Sequence, residues 1–101
     1  MTKERFRSGL WVAMVTPMQA GEIDHEGLRA LVEFHVARGT HGLVPCGTTG
    51  ESATFSHDEH KRVVETVVEA AGGRLEIMAG TGSNSTREAV DLTRHAQATG
   101  A

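Results

Sequence analysis

Tyrosine is absent from this 101-residue sequence, cysteine occurs once, at Cys46, and lysine occurs twice, at Lys3 and Lys61. A single cysteine excludes an internal disulfide framework and fits a reducing compartment, the cytoplasm. Positive charge is not in surplus. Lys+Arg number 10 against Asp+Glu 13, a formal net charge of −3, which argues against a nucleic-acid or anionic-membrane partner. No apolar run approaches the roughly 20 residues a membrane span requires. Lys3, Arg5 and Arg7 ahead of the apolar run 10–15 imitate a secretory leader. That run is short, Glu4 dilutes its charge and Pro17 ends it, so it reads as part of the folded chain. The composition describes a soluble, globular protein and leaves its chemistry open.

Two patterns alternate along the chain. Near-continuous apolar runs at 10–15, 42–46 and 75–79 predict strands buried on both faces of a parallel sheet, with Pro45 tolerable only near the end of its run. Between them lie helical patterns. Asp24 is a candidate N-cap for a helix over 25–38, with Leu28, Leu31, Val32, His35 and Val36 on one stripe and Gly39 as its stop. Ser56-His57-Asp58-Glu59 reads as a capping box for a helix over 57–71, and Ser85-Thr86-Arg87-Glu88 as another for a helix over 86–99.

The order is therefore βαβαβα. Trp11, Leu43 and Leu75 stand 32 residues apart, the size of one βα unit. Eight such units form a (β/α)8 TIM barrel of about 250 residues. The fold class expected is α/β, three βα units that make less than half of such a barrel, with residues 1–101 as the N-terminal segment of one domain. That the domain is a (β/α)8 TIM barrel, with these as its first three βα units, is implied by the family resemblance given below. Three same-handed crossovers cover one face of a three-stranded sheet and leave the other bare. That mismatch with doubly apolar strands favours a piece of a larger domain over a small module closed by oligomerisation.

Ligands of parallel α/β sheets meet the carboxyl ends of the strands, which selects the loops at Thr16-Pro17, 46–55 and 80–84. Gly47-Thr48-Thr49-Gly50-Glu51-Ser52 is the richest: its glycines allow a tight turn, and its hydroxyls and amides can bind a carboxylate or phosphate. Gly80-Thr81-Gly82-Ser83-Asn84-Ser85 starts like a dinucleotide fingerprint, but Ser85 stands where the third glycine belongs. His57 and His60 share a helix face without the companions of a metal site, so no metal is expected there, and by themselves they read as surface histidines. Cys46, with no base near it in sequence, reads as a small buried residue.

Taken together, Ala13-Met14-Val15-Thr16-Pro17-Met18, Gly47-Thr48-Thr49-Gly50-Glu51-Ser52, His57-Asp58-Glu59-His60 and Ala79-Gly80-Thr81-Gly82-Ser83-Asn84 resemble the dihydrodipicolinate synthase (4-hydroxy-tetrahydrodipicolinate synthase) family, in order and across essentially the whole chain. The resemblance implies a TIM-barrel lyase of the diaminopimelate route to lysine. Such an enzyme needs no cofactor and condenses pyruvate with aspartate semialdehyde through a lysine Schiff base. It further implies a proton-relay hydroxyl at Thr48 shared with two tyrosines, and a pyruvate-carboxylate contact at Thr49. A site for inhibitory L-lysine at a dimer interface is implied at Ser52, Ala53, His57, His60, Asn84 and Glu88, where Glu88 suits the ammonium groups. The full-length form implied is a cytoplasmic homotetramer, without nucleic-acid or membrane partners.

The sequence departs from the family at its chemical centre. It has no relay tyrosine, and neither Lys3 nor Lys61 fits the Schiff-base position, so these 101 residues alone are expected to be inactive. Two other readings stay open. One is another pyruvate-dependent aldolase or dehydratase of the same superfamily, although sialic-acid lyases tend to carry Ser-Thr in place of Thr48-Thr49. The other is a stand-alone anion-binding module built on the Gly-Thr loop.

Overall fold

The computed structural model describes residues 8–101; Lys3, Glu4, Arg5 and Arg7 of the leader-like pattern lie outside the described residues. The elements follow in the order β1 (Trp11–Ala13), β2 (Met18–Gln19), β3 (Glu22–Ile23), α1 (His25–Ala37), β4 (Gly42–Val44), a 3-10 turn (Ser52–Thr54), α2 (His57–Ala71), β5 (Glu76–Ile77) and α3 (Thr86–Thr99). Strands β1, β4 and β5 pair in that order, all parallel. Parallel neighbours require a crossover, and α1 and α2 supply the two.

The ladders are shorter than the apolar runs. Pro45 has no N–H to donate and Cys46 turns the chain at φ 60°, so β4 ends at Val44. Isolated bonds extend beyond the strands: Met14 N–H donates to Val44 O at 3.0 Å, Met78 N–H to Leu43 O at 2.9 Å and Gly80 N–H to Pro45 O at 2.8 Å.

Register also differs from the 32-residue repeat, by one position between β1 and β4 and by two between β4 and β5. Trp11 lies opposite Gly42, and Gly42 opposite Glu76, rather than Trp11, Leu43 and Leu75 aligning. The cause is steric. The Trp11 ring covers Gly42 so closely that a Cβ there would fall 2.3 Å from Cε3. A one-residue slip would also turn Leu43, 0% exposed, out of the core.

No pattern in the sequence marks the hairpin β2–β3. Met18 pairs with Ile23 and Gln19 with Glu22, joined by Ala20 (φ 52°) and Gly21 (φ 80°). Two successive positive φ values suit a two-residue hairpin turn, but ladders this short carry no periodicity to read. At its base Asp24 N–H donates to Pro17 O (2.9 Å), which delivers the Asp24 side chain to accept from Gly27 N–H and cap α1.

Ser56 and Glu59 form the expected reciprocal box at the start of α2. At α3 the box is incomplete. Ser85 Oγ accepts from Glu88 N–H at 3.4 Å, but the Glu88 carboxylate does not return to Ser85 N–H. Ser83 substitutes: its hydroxyl accepts from Ser85 N–H and donates to Glu88 Oε1. Glu88 is thereby held off the helix end.

The core is one layer of helices on one sheet face. Leu28 and Val32 from α1, Val63, Val64, Val67 and Ala71 from α2, and Ala96 from α3 pack on Met14, Leu43, Cys46 and Leu75. Each fully buried aliphatic side chain among them is worth about 1.5–3 kcal/mol. The opposite face is open, with Val15 56% and Met78 46% exposed. The thinnest dimension, 19 Å, fits two layers and no third. Among the described residues, no helix is long and apolar enough to cross a membrane.

Candidate functional site

Two structures stand at the carboxyl ends of the strands. The first is the Gly-Thr loop after β4. Gly50 N–H donates back to Gly47 O (3.1 Å) and Glu51 N–H to Thr48 O (3.0 Å), which coils the loop tightly. Thr16, arriving from the end of β1 and only 6% exposed, donates its hydroxyl to Gly50 O at 2.7 Å. Gly50 leaves little room for a side chain: a Cβ would sit 3.1 Å from both Met14 O and Thr16 Oγ1, so its neighbours would have to give way by a few tenths of an ångström. Cys46 and Glu51 bracket the loop in the left-handed region at φ 60°, where non-glycine residues are strained. The result is a braced turn with Thr48 and Thr49 exposed on its tip. Neither hydroxyl is hydrogen-bonded among the described residues, so both are available to a ligand.

Cys46 contributes no nucleophile. It is 3% exposed, its Sγ faces His60 O, and burial pushes the thiol up to about 12.

The second structure is a cleft of about 470 Å³ between the 3-10 turn, the start of α2 and the loop leading into α3. Ser52, Ala53, His57, His60, Asn84 and Glu88 all line it, together with Phe55, Gly82, Ser83 and Leu92. The six residues singled out in the sequence thus meet in one place, whereas Thr48 and Thr49 lie outside it.

The two cleft histidines differ. His60 is 5% exposed, not a surface residue; its Nε2 donates to Gly80 O at 2.6 Å and ties α2 to the end of β5. Gly80 is fixed from the other side as well, since a Cβ there would lie 2.2 Å from Cys46 O. His57 is half-buried, its Nε2 donating to Asp91 Oδ2 at 2.6 Å and its Nδ1 3.8 Å from Glu88 Oε1. Lys61 reaches the same Asp91 oxygen at 2.8 Å. Hydrogen bonds from Lys61 first and His57 second hold the Asp91 carboxyl down at about 2.

The remaining histidines serve packing. His25 bonds Thr66, His35 bonds Thr40, His41 Nδ1 accepts from Leu10 N–H, and His95 donates to Glu65. Among the described residues no three His, Cys, Asp or Glu side chains are grouped to hold a metal ion. Sequence reasoning did not find Asp91, Lys61 or Ser83. Asp91 lies 34 residues from His57, and only the packing of α3 on α2 joins them.

A groove of about 670 Å³ runs beside β5, between α2 and α3, lined mainly by apolar side chains such as Leu75, Ile77 and Ala96. It carries no clustered polar chemistry.

Comparison with known proteins places the chain in a family. The model of the dihydrodipicolinate synthetase family matches residues 6–101. A 4-hydroxy-tetrahydrodipicolinate synthase of Syntrophobacter fumaroxidans is 58% identical over 93 residues, covering 92% of this chain and 32% of the relative. The crystal structure of dihydrodipicolinate synthase from Aquifex aeolicus superposes with a TM-score of 0.90 at 52% identity, over 92% of this chain and 32% of that one. The chloride-inhibited dihydrodipicolinate synthase from Acinetobacter baumannii, solved complexed with pyruvate, gives 0.88 at 48% identity with the same coverage. The chain spans about a third of the length of the curated relatives it matches. Its three βα units are those of the TIM barrel these enzymes share. On the family match and on this fold, the chain belongs to the dihydrodipicolinate synthetase family.

Proposed function

We propose that the protein to which these residues belong is a lyase of lysine biosynthesis that condenses pyruvate with aspartate semialdehyde through a Schiff base. The single observation that carries this reading is the pair Thr48-Thr49, exposed with unbonded hydroxyls on a loop braced by Thr16 at the carboxyl end of the sheet. Thr49 holds the pyruvate carboxylate through its hydroxyl and backbone N–H, which orients the keto carbon toward the attacking amine. Thr48 passes protons between better acids and bases, since a threonine hydroxyl is too weak to act alone. The amine comes from a lysine outside this chain, because Lys61 is engaged with Asp91 on the helical layer. The pyruvate complex of the Acinetobacter baumannii relative supports the first substrate.

The cleft of Ser52, Ala53, His57, His60, Asn84 and Glu88 is proposed as the site for inhibitory L-lysine, at a dimer interface of a cytoplasmic homotetramer. The Glu88 carboxylate, held off the helix end by Ser83, faces a ligand ammonium. A sugar-derived keto acid as second substrate is the competing reading, and Thr48-Thr49 in place of Ser-Thr favours the synthase.

Borohydride reduction in the presence of pyruvate tests the chemistry. A covalent adduct is expected on the full-length protein and none on the 101-residue chain; an adduct on the short chain would overturn the assignment of the amine. Calorimetry with L-lysine tests the cleft in the full-length protein. Binding is expected and should be lost in Glu88→Ala; unchanged binding in that variant would refute the site.

A further inference from the structure

The cleft accounts for His57 and Glu88, but not for the two side chains behind His57. Asp91 and Lys61 do not line the cleft, yet one Asp91 oxygen takes both the His57 Nε2–H (2.6 Å) and the Lys61 ammonium (2.8 Å). A carboxylate can only accept, so Nε2 must carry a proton. In the neutral ring the other nitrogen, Nδ1, is then an acceptor. It stands 3.8 Å from Glu88 Oε1, beside the one carboxylate that lines the cleft. An imidazole left free could place its proton on either nitrogen; the bond at one fixes the role of the other. Lys61 holds Asp91 in place and offsets its charge, so the Asp91 bond orients the ring without adding negative charge to the cleft.

We propose that Asp91, held by Lys61, is a positioning residue that fixes His57 as the Nε2–H tautomer, so that Nδ1 and Glu88 together accept from the ammonium group of an amino-acid ligand. An ammonium has three donors and no acceptor, and paired acceptors from two helices match it better than a carboxylate alone. This inference rests on the cleft being the L-lysine site.

The test is a double-mutant cycle in the full-length protein. The readout is the lysine concentration that halves the rate, taken against each variant's own uninhibited rate. Asp91→Ala should raise that concentration roughly five- to twentyfold. Asp91→Asn should retain most of the sensitivity, because its amide oxygen still accepts from Nε2–H. In a His57→Asn background, where an amide oxygen takes the place of Nδ1, Asp91→Ala should have no further effect. An Asp91→Ala variant as sensitive as the parent would overturn the proposal. So would Asp91→Asn failing like Asp91→Ala, or an undiminished Asp91→Ala effect in the His57→Asn background. Glu88→Ala separates the two levels. If it abolishes inhibition while the Asp91 variants do nothing, only the positioning role fails; if it changes nothing, the lysine site itself fails.

Discussion

Asp91 is the most perturbed carboxylate described, and its surroundings fix the sign of its pH dependence. Its usual value of 3.8 falls to about 2 in the folded chain, chiefly through the Lys61 hydrogen bond and then His57. A depressed carboxyl stabilises the fold above its unfolded value, and that stabilisation fades as pH falls through the folded one. The contact between α2 and α3 should therefore weaken between about pH 4 and pH 2. A carboxyl-selective NMR titration should place Asp91 near 2, and Lys61→Met should move it back toward 3.8. Thr16 acts on the other site. Thr16→Val leaves the buried Gly50 carbonyl without its donor and should cost about 1–3 kcal/mol in denaturant unfolding, with Thr16→Ser restoring most of it. The residue types at these sites were legible: Thr48, Thr49 and the six cleft residues could be named from motifs. Their partners were not, because Thr16 meets Gly50, and His57 meets Asp91, across 34 positions that only packing closes.

At the scale of elements, helix starts were the most readable feature, since a cap acts within three or four residues of itself. Asp24 and Ser56 cap as their spacing suggests. Ser85 caps too, but Glu88 is diverted to Ser83, an outcome that depends on how the loop before α3 lies against α2. Strand register was the least readable. The 32-residue repeat aligns Trp11 with Leu43, whereas the ladder aligns it with Gly42, because the indole needs a neighbour without a Cβ. Gly42→Ala should cost about 1–3 kcal/mol by crowding that ring. In a Trp11→Ala background the same substitution should be nearly neutral, and a chemical-denaturation cycle measures the difference. Equal costs in both backgrounds would show that the glycine is there for its backbone alone.

The whole molecule is a two-layer slab whose sheet is covered on one side. Val15 and Met78 are half exposed on the open face, and the apolar groove beside β5 continues the same surface. Apolar surface of this kind invites association. The isolated 101-residue chain is expected to self-associate in sedimentation and to bind a hydrophobic dye. A compact monomer that unfolds cooperatively would overturn the expectation. The two proposed sites divide along the same architecture. The Gly-Thr loop sits at the strand ends, where substrates of parallel barrels bind, while the cleft lies between the loops that start α2 and α3. Two hydrogen bonds join the cleft to the Gly-Thr loop: His60 donates to Gly80 O, and Gly80 N–H donates to Pro45 O ahead of that loop.

The sequence by itself determined what depends on near neighbours: helix starts and stops, the apolar stripes, the alternation of strands and helices, and the motifs that mark the family. These follow from contacts within a turn or two of chain, so residue order alone specifies them. Tertiary structure decided the register of Trp11 on Gly42, the burial of His60, the hairpin before α1, and the Lys61–Asp91–His57 chain behind the cleft. Each depends on the rotation and offset of one packed element against another, which local propensity leaves free. The absence of tyrosine remains the plainest sequence fact, and no packing of these residues can supply a phenol.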